Sequence, residues 1–295
     1  MIYLILTIGL SSLIYIIFKG FDTYKVNTFQ AIVVNYLICA GMGAGFAAQQ
    51  DRGWLSEIPT TTLPYALILG LLFITLFNLI GRTAQVFGVG IASLSDKLSL
   101  VVPVFIAFLF YGDQVTLLKV SGIVLAIVAV WLSVAQPKST DKTTNKGPRW
   151  LPIAVFIGGG VISSLLKEVE FRFPGLEFNQ FLAFLFATAA GIGIFVFLIQ
   201  WIRGKMKPSP KSWLAGIALG IPNYGSIYYL FKTLDVDGWE SSMIYPVNNI
   251  GIVLLTTILG FAFFRERTTS LKLVGLGLSI LAIFLLIFEQ VNVAI

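Results

Sequence analysis

Apolar residues run along this chain in long blocks separated by short polar stretches. Ten blocks can be marked, at residues 2–18, 28–48, 64–87, 91–111, 116–135, 150–166, 177–202, 212–231, 239–264 and 271–288. Each is near the roughly 20 residues that a helix needs to cross a bilayer. No block alternates with period two, as a barrel strand would, and backbone polar groups in hydrocarbon must be satisfied within their own segment. The pattern therefore predicts an all-α integral membrane protein with ten transmembrane helices. Residues 136–149 (QPKSTDKTTNKGPR) are polar and interrupt the rhythm. They read as a linker between two halves, 1–135 and 150–295, of five spans each, or as no more than a long loop.

A repeat favours two halves. Residues 110–132 align without gaps on 263–285, matching Phe110 to Phe263, Thr116 to Thr269, Lys119 to Lys272 and Gly122 to Gly275, with Asp113 opposite Glu266. A unit holding five spans must cross the membrane in opposite directions in its two copies, which predicts inverted repeats of the kind found in secondary transporters.

Composition agrees with a membrane chain. Of 295 residues, 57% are hydrophobic and 12% charged, about half the roughly 25% charged residues of a soluble domain, and the mean hydropathy is +0.90. The net charge of +6 does not form the basic stripe with stacking aromatics that nucleic acid requires. Its cations gather on the odd-numbered connections, at Lys19, Lys25, Arg82, the linker, 203–211 and 265–272. By the positive-inside rule those connections are expected in the cytoplasm and both termini outside it. With no His and a single Cys, Cys39, disulfide frameworks, zinc sites and Ser/His or Cys/His catalytic pairs lack their ligands. No cofactor or metal is expected. The first apolar run has neither a basic flank nor a cleavage site, so it reads as a span and not as a signal peptide.

Two segments, LSLVVPVFIAFLFYGDQVTLLKVSGIVLAI and MIYPVNNIGIVLLTTILGFAFFRERTTSLKLVGLGLSI, share a pattern: Pro within the span, an acidic residue at its end, then Gly in the next span. In this the chain resembles the EamA-like branch of the drug/metabolite transporter superfamily. The first copy departs from the family in having Asp113 in place of the usual Glu. The resemblance implies a ten-helix carrier with a central cavity between the halves, moving small metabolites such as amino acids, amines, nucleosides or sugars without ATP. The absence of a GxxxxGK[ST] phosphate loop agrees.

Ionisable residues inside spans point to sites, because each costs about 2.5–3.5 kcal/mol on insertion scales. Lys97 lies on the order of 10 Å beyond the start of span four, close to Asp96 and Ser99. Consecutive side chains diverge by about 100° around a helix, so Lys97 is expected to face the cavity and Asp96 to anchor elsewhere. A snorkelling Lys97, or a structural pair with a carboxylate, is an equal alternative. Asn78 and Arg82 share one face of span three with Gln85, although Arg82 also suits a positive-inside anchor. Tyr15 contributes from span one. Span eight offers Asn223 and Tyr228, and span nine Tyr245, Asn248 and Asn249, with Pro246 expected to bend that helix. For any one of these amides and hydroxyls, interhelical glue is the commoner role. Gly158, Gly159 and Gly160 suit close packing or a hinge, and Lys167 with Glu168 an outer interface.

The function expected is secondary active transport of a small polar metabolite, with protons as a candidate coupling ion, in a bacterial inner membrane. A lipid or polyprenyl-phosphate flippase of the same fold is the alternative. A membrane enzyme lacks a nucleophile and base at a recognised spacing, and a channel lacks a filter motif.

Overall fold

The computed structural model describes residues 2–49, 59–110, 116–134, 148–173, 178–234, 236, 241–266 and 270–293. Among them are eleven α-helices and no strand: α1 (Ile2–Thr23), α2 (Thr28–Gln49), α3 (Leu63–Phe87), α4 (Val89–Leu98), α5 (Val101–Phe110), α6 (Leu117–Val134), α7 (Trp150–Arg172), α8 (Phe178–Ile202), α9 (Pro210–Leu234), α10 (Ser241–Phe264) and α11 (Ser270–Val293). Six stretches, within α1, α2, α3, α7, α8 and α10, are long and apolar enough to cross a membrane by themselves. With α4 and α5 taken as two pieces of one span, ten helices fall on the ten predicted blocks. Residues 136–147 of the linker and Asp113 lie outside the described residues, as do the side chains of Lys119, Pro246 and Lys272.

Span four breaks at Ser99 and Leu100 for a local reason. Pro103 has no N–H, and its ring crowds the carbonyl four residues back, which is that of Ser99. That carbonyl accepts the Val102 N–H at 3.0 Å instead, and the Ser99 N–H bonds the Asp96 carbonyl at 3.2 Å. These tighter turns part α4 from α5. Span nine differs from expectation, since α10 runs unbroken from Ser241 to Phe264. The carbonyl that Pro246 displaces belongs to Ser242, in the first turn, where almost no helix lies upstream to be broken.

Lipid tails are as apolar as leucine, so close packing and not hydrophobic burial joins the helices. Helix α6 lies against α11, α2 against α8 and α9, α1 against α9 and α10, and α3 against α7 and α8. Helix α4 is surrounded by α1, α3, α6, α7, α10 and α11. Gly216 and Gly220, one turn apart on α9, let it meet α2 backbone to backbone. A Cβ at Gly216 would stand 2.5 Å from the Ala31 carbonyl oxygen, and one at Gly220 3.0 Å from that of Asn35. Aromatic rings fill the middle: Phe18 meets Phe21 and Phe77 edge-on, and the buried Tyr36 donates its hydroxyl to the Phe73 carbonyl at 2.9 Å.

Candidate functional site

The interruption of span four places a charged group deep in the bundle. The Asp96 carboxylate accepts the Tyr15 hydroxyl through Oδ2 at 2.6 Å, and the same oxygen holds the Lys97 Nζ at 3.0 Å. Asp96 is thus anchored, as expected, by the neighbouring α1. Lys97 does not diverge from it: the flexible four-carbon stem spans the angle between adjacent positions and folds the ammonium back onto its neighbour. Ser99 closes the turn, donating its hydroxyl to the Asp96 carbonyl at 2.5 Å.

Helix α7 comes up to this group because it carries glycine there. A Cβ on Gly159 would stand 2.6 Å from the Ser99 Oγ and 3.6 Å from the Asp96 Oδ1, and one on Gly160 would strike Val102 at 2.2 Å. The glycine run is therefore the seat of the broken helix, the packing role read from sequence. On helices packed against α4, the hydroxyl of Ser12 on α1 and Oδ1 of Asn248 on α10, and on α4 itself the hydroxyl of Ser95, are buried with no hydrogen-bond partner among the described residues. Native interiors rarely leave such atoms unpaired, so they call for water or a ligand.

The remaining predicted residues are dispersed. Asn78 donates back to its own helix, to the Ile74 carbonyl at 2.7 Å. Arg82 is exposed and has no hydrogen bond or ion pair among the described residues, as an interfacial anchor would. Its neighbour Gln85 joins Thr28 at 2.8 Å. Asn223 is buried between α9 and α2, donating to Asn35 Oδ1 at 3.1 Å and to the Cys39 sulfur at 3.4 Å, the interhelical role. Tyr228 stacks on Phe46 with ring centroids 4.9 Å apart. On α10, Tyr245 is exposed, Asn249 half-buried and Asn248 buried. Glu168 pairs with Arg172 on the same exposed turn of α7.

The sequence reading passed over one arrangement, a set of ties along the face that carries the odd-numbered connections. The Lys19 Nζ donates to the Gln85 carbonyl at 2.7 Å, and Gln30 donates to the Lys207 carbonyl at 2.8 Å while accepting the Ser209 N–H at 3.0 Å. Glu266, beyond α10, reaches the first residue of α4, where its Oε1 accepts the Val89 N–H at 2.9 Å. The elbow before Val89 must be glycine: Gly88 has φ of +99°, and a Cβ on it would stand 2.3 Å from the Glu266 Oε2. Two of these ties, those of Gln30 and Glu266, join residues before 135 to residues after 150.

Comparison with known proteins places this architecture. An uncharacterized protein of Haemophilus influenzae is 29% identical over 227 residues, covering 76% of this chain and 75% of its own length. A solved crystal structure of a protein with 16% identity superposes with a TM-score of 0.61 over 99% of this chain and 97% of the other, a likeness of fold. Residues 152–288 match the model of the EamA-like transporter family. With its apolar helices, the chain is a multi-pass integral membrane protein, and over residues 152–288 it is similar to the EamA-like transporter family, part of the drug/metabolite transporter superfamily.

Proposed function

We propose that the chain is a secondary active carrier of small polar metabolites (amino acid, amine, nucleoside or sugar-like) in a bacterial inner membrane, with protons as the coupling ion. Access alternates through a cavity between two inverted halves, 1–135 and 150–295. The helix pairs support that arrangement. Exchanging the halves takes α1 into α7, α2 into α8, α3 into α9, the α4 and α5 pair into α10, and α6 into α11. Under it the contact of α2 with α9 becomes that of α8 with α3, α1 with α9 becomes α7 with α3, and α1 with α10 becomes α7 with α4 and α5. All of these are packed pairs.

The observation that carries the function is the Asp96 and Lys97 pair beside a broken helix. Half-helix ends and intramembrane charges are where carriers of this kind hold substrate. Tyr15, Lys97 and Ser99, with Asp96, are assigned to substrate, and Asn248 and Asn249 to its far side. The ties from Gln30 and Glu266 hold the odd-numbered face shut, and opening it requires their release.

Counterflow in proteoliposomes tests this reading. Preloaded vesicles should take up labelled metabolites in a saturable, trans-stimulated manner that responds to an imposed pH gradient. Lipid movement between leaflets without solute exchange would favour the flippase, and non-saturating current a channel.

A further inference from the structure

We propose that the braced loop between α8 and α9 is a docking surface for the headgroup of an anionic phospholipid, held by Arg203, Lys205, Lys207 and Lys211 together with Lys25 from the turn between α1 and α2. The inference goes beyond the carrier reading and does not depend on it.

The loop is held in one shape. Gly204, with φ of +68°, follows α8, and the Gln200 carbonyl accepts the Lys205 N–H at 2.9 Å and the Met206 N–H at 3.2 Å, so the end of the helix is closed by a glycine cap. Pro208 and Pro210 restrict the backbone that follows. From α2, Gln30, which is 3% exposed, grips the chain on both sides of Pro208, donating to the Lys207 carbonyl at 2.8 Å and accepting the Ser209 N–H at 3.0 Å. The Asn27 N–H donates to the Ser212 Oγ at 2.9 Å, which sets the turn that carries Lys25 against the start of α9. Positive-inside sorting needs only a number of charges and no such bracing. A backbone ordered beforehand does lower the entropy cost of binding.

Charge and depth select the occupant. The five cations are exposed and make no ion pair among the described residues. Asp22 is the only acidic residue in 19–27 and 200–213. Trp201 and Trp213 bracket the loop, 50% and 43% exposed, next to Ile202 and Leu214, which are more exposed still. Indole rings settle at the level of the headgroups, so the cations meet phosphates there and the two aliphatic side chains meet acyl tails. A soluble anion would use the cations and leave that apolar rim without a partner. Each cation close to anionic lipid is worth about fivefold in affinity.

The test adds lipid to the full chain in detergent and reads bound lipid by native mass spectrometry, with the thermal midpoint as a check on folding. Wild type should retain phosphatidylglycerol over phosphatidylcholine by about tenfold or more. Lys205→Gln combined with Lys207→Gln should erase most of that preference, whereas Lys167→Gln, near the far end of α7, should keep it. Gln30→Ala retains every cation but frees the loop, so it should weaken the preference several-fold, and it carries the test if the double variant fails to insert. Equal retention of the two lipids overturns the proposal, as does a full preference in either the double variant or Gln30→Ala, which would mean diffuse attraction to surface charge. Displacement of the lipid by inorganic phosphate at equal concentration overturns it in favour of a soluble anion.

Discussion

Glu266 and Val89 lie 177 residues apart in the chain and are joined by one hydrogen bond, from the Val89 N–H to the Glu266 carboxylate at 2.9 Å. The bond caps the amino end of α4 with a negative charge, where the helix dipole favours one, and the cap comes from just beyond α10. It also turns a local helix-terminus requirement into a lock between α10 and the α3–α4 elbow.

Removing the lock should loosen that face. Glu266→Ala loses a cap worth about 1 kcal/mol, enough for a several-fold rise in opening. In a Cys39→Ser background, labelling of Ser95→Cys by an aqueous maleimide should accelerate by that factor when Glu266 is replaced. An unchanged rate would mean that the bond does not hold the face closed. Gly88→Ala should cost folded yield as well, because its φ of +99° is strained for any L residue.

Tyr15→Phe is expected to separate anchoring from folding. It deletes a hydrogen bond to a charged group, worth about 1.5–3 kcal/mol, and leaves the ring in place. Exchange should fall at least tenfold while the thermal midpoint falls by only a few degrees. Retained exchange would show that Asp96 needs no support from α1.

The amides should divide into two kinds. Asn223→Ala removes the amide that donates to Asn35 and to the Cys39 sulfur in a buried interface, so it should lower stability by about 1–3 kcal/mol. Asn248→Ala removes an Oδ1 that has no hydrogen-bond partner among the described residues, so it should weaken substrate binding at near wild-type stability. If both variants lose stability equally, Asn248 is helix glue.

The ten helices could be read from the sequence because bilayer thickness sets the length of each apolar block, and the seat formed by Gly159 and Gly160 because small residues in a span mean close approach. Other features could not be read. Asn78 and Asn223 look alike in a sequence, yet one bonds its own helix and the other a neighbour, and only the packing decides. The angle between consecutive positions suggested that Asp96 and Lys97 diverge, but a lysine stem is long enough to cross it. Pro103 and Pro246 carry the same chemistry. The first displaces a carbonyl in mid-span and breaks the helix, while the second displaces one in a first turn and does not. The acidic position of Glu266 stood out by its match to Asp113, but its partner is a backbone N–H, which no side-chain pattern reveals.

Orientation can be checked independently. Single cysteines at Lys205 and Lys207, in the Cys39→Ser background, should resist impermeant thiol reagents in intact cells and react after permeabilisation. Labelling in intact cells would reverse the orientation given by the charge count.

The central claim is that the Asp96 and Lys97 pair is the substrate site of a carrier, and counterflow through reconstituted Lys97→Gln measures it most directly. The variant keeps most of the side-chain length and its hydrogen bonding but loses the charge. It should fold to near wild-type yield and lose trans-stimulated exchange of the wild-type substrate at least tenfold, with Lys97→Arg retaining part of it. Exchange by Lys97→Gln at the wild-type rate across several pH values would contradict the account.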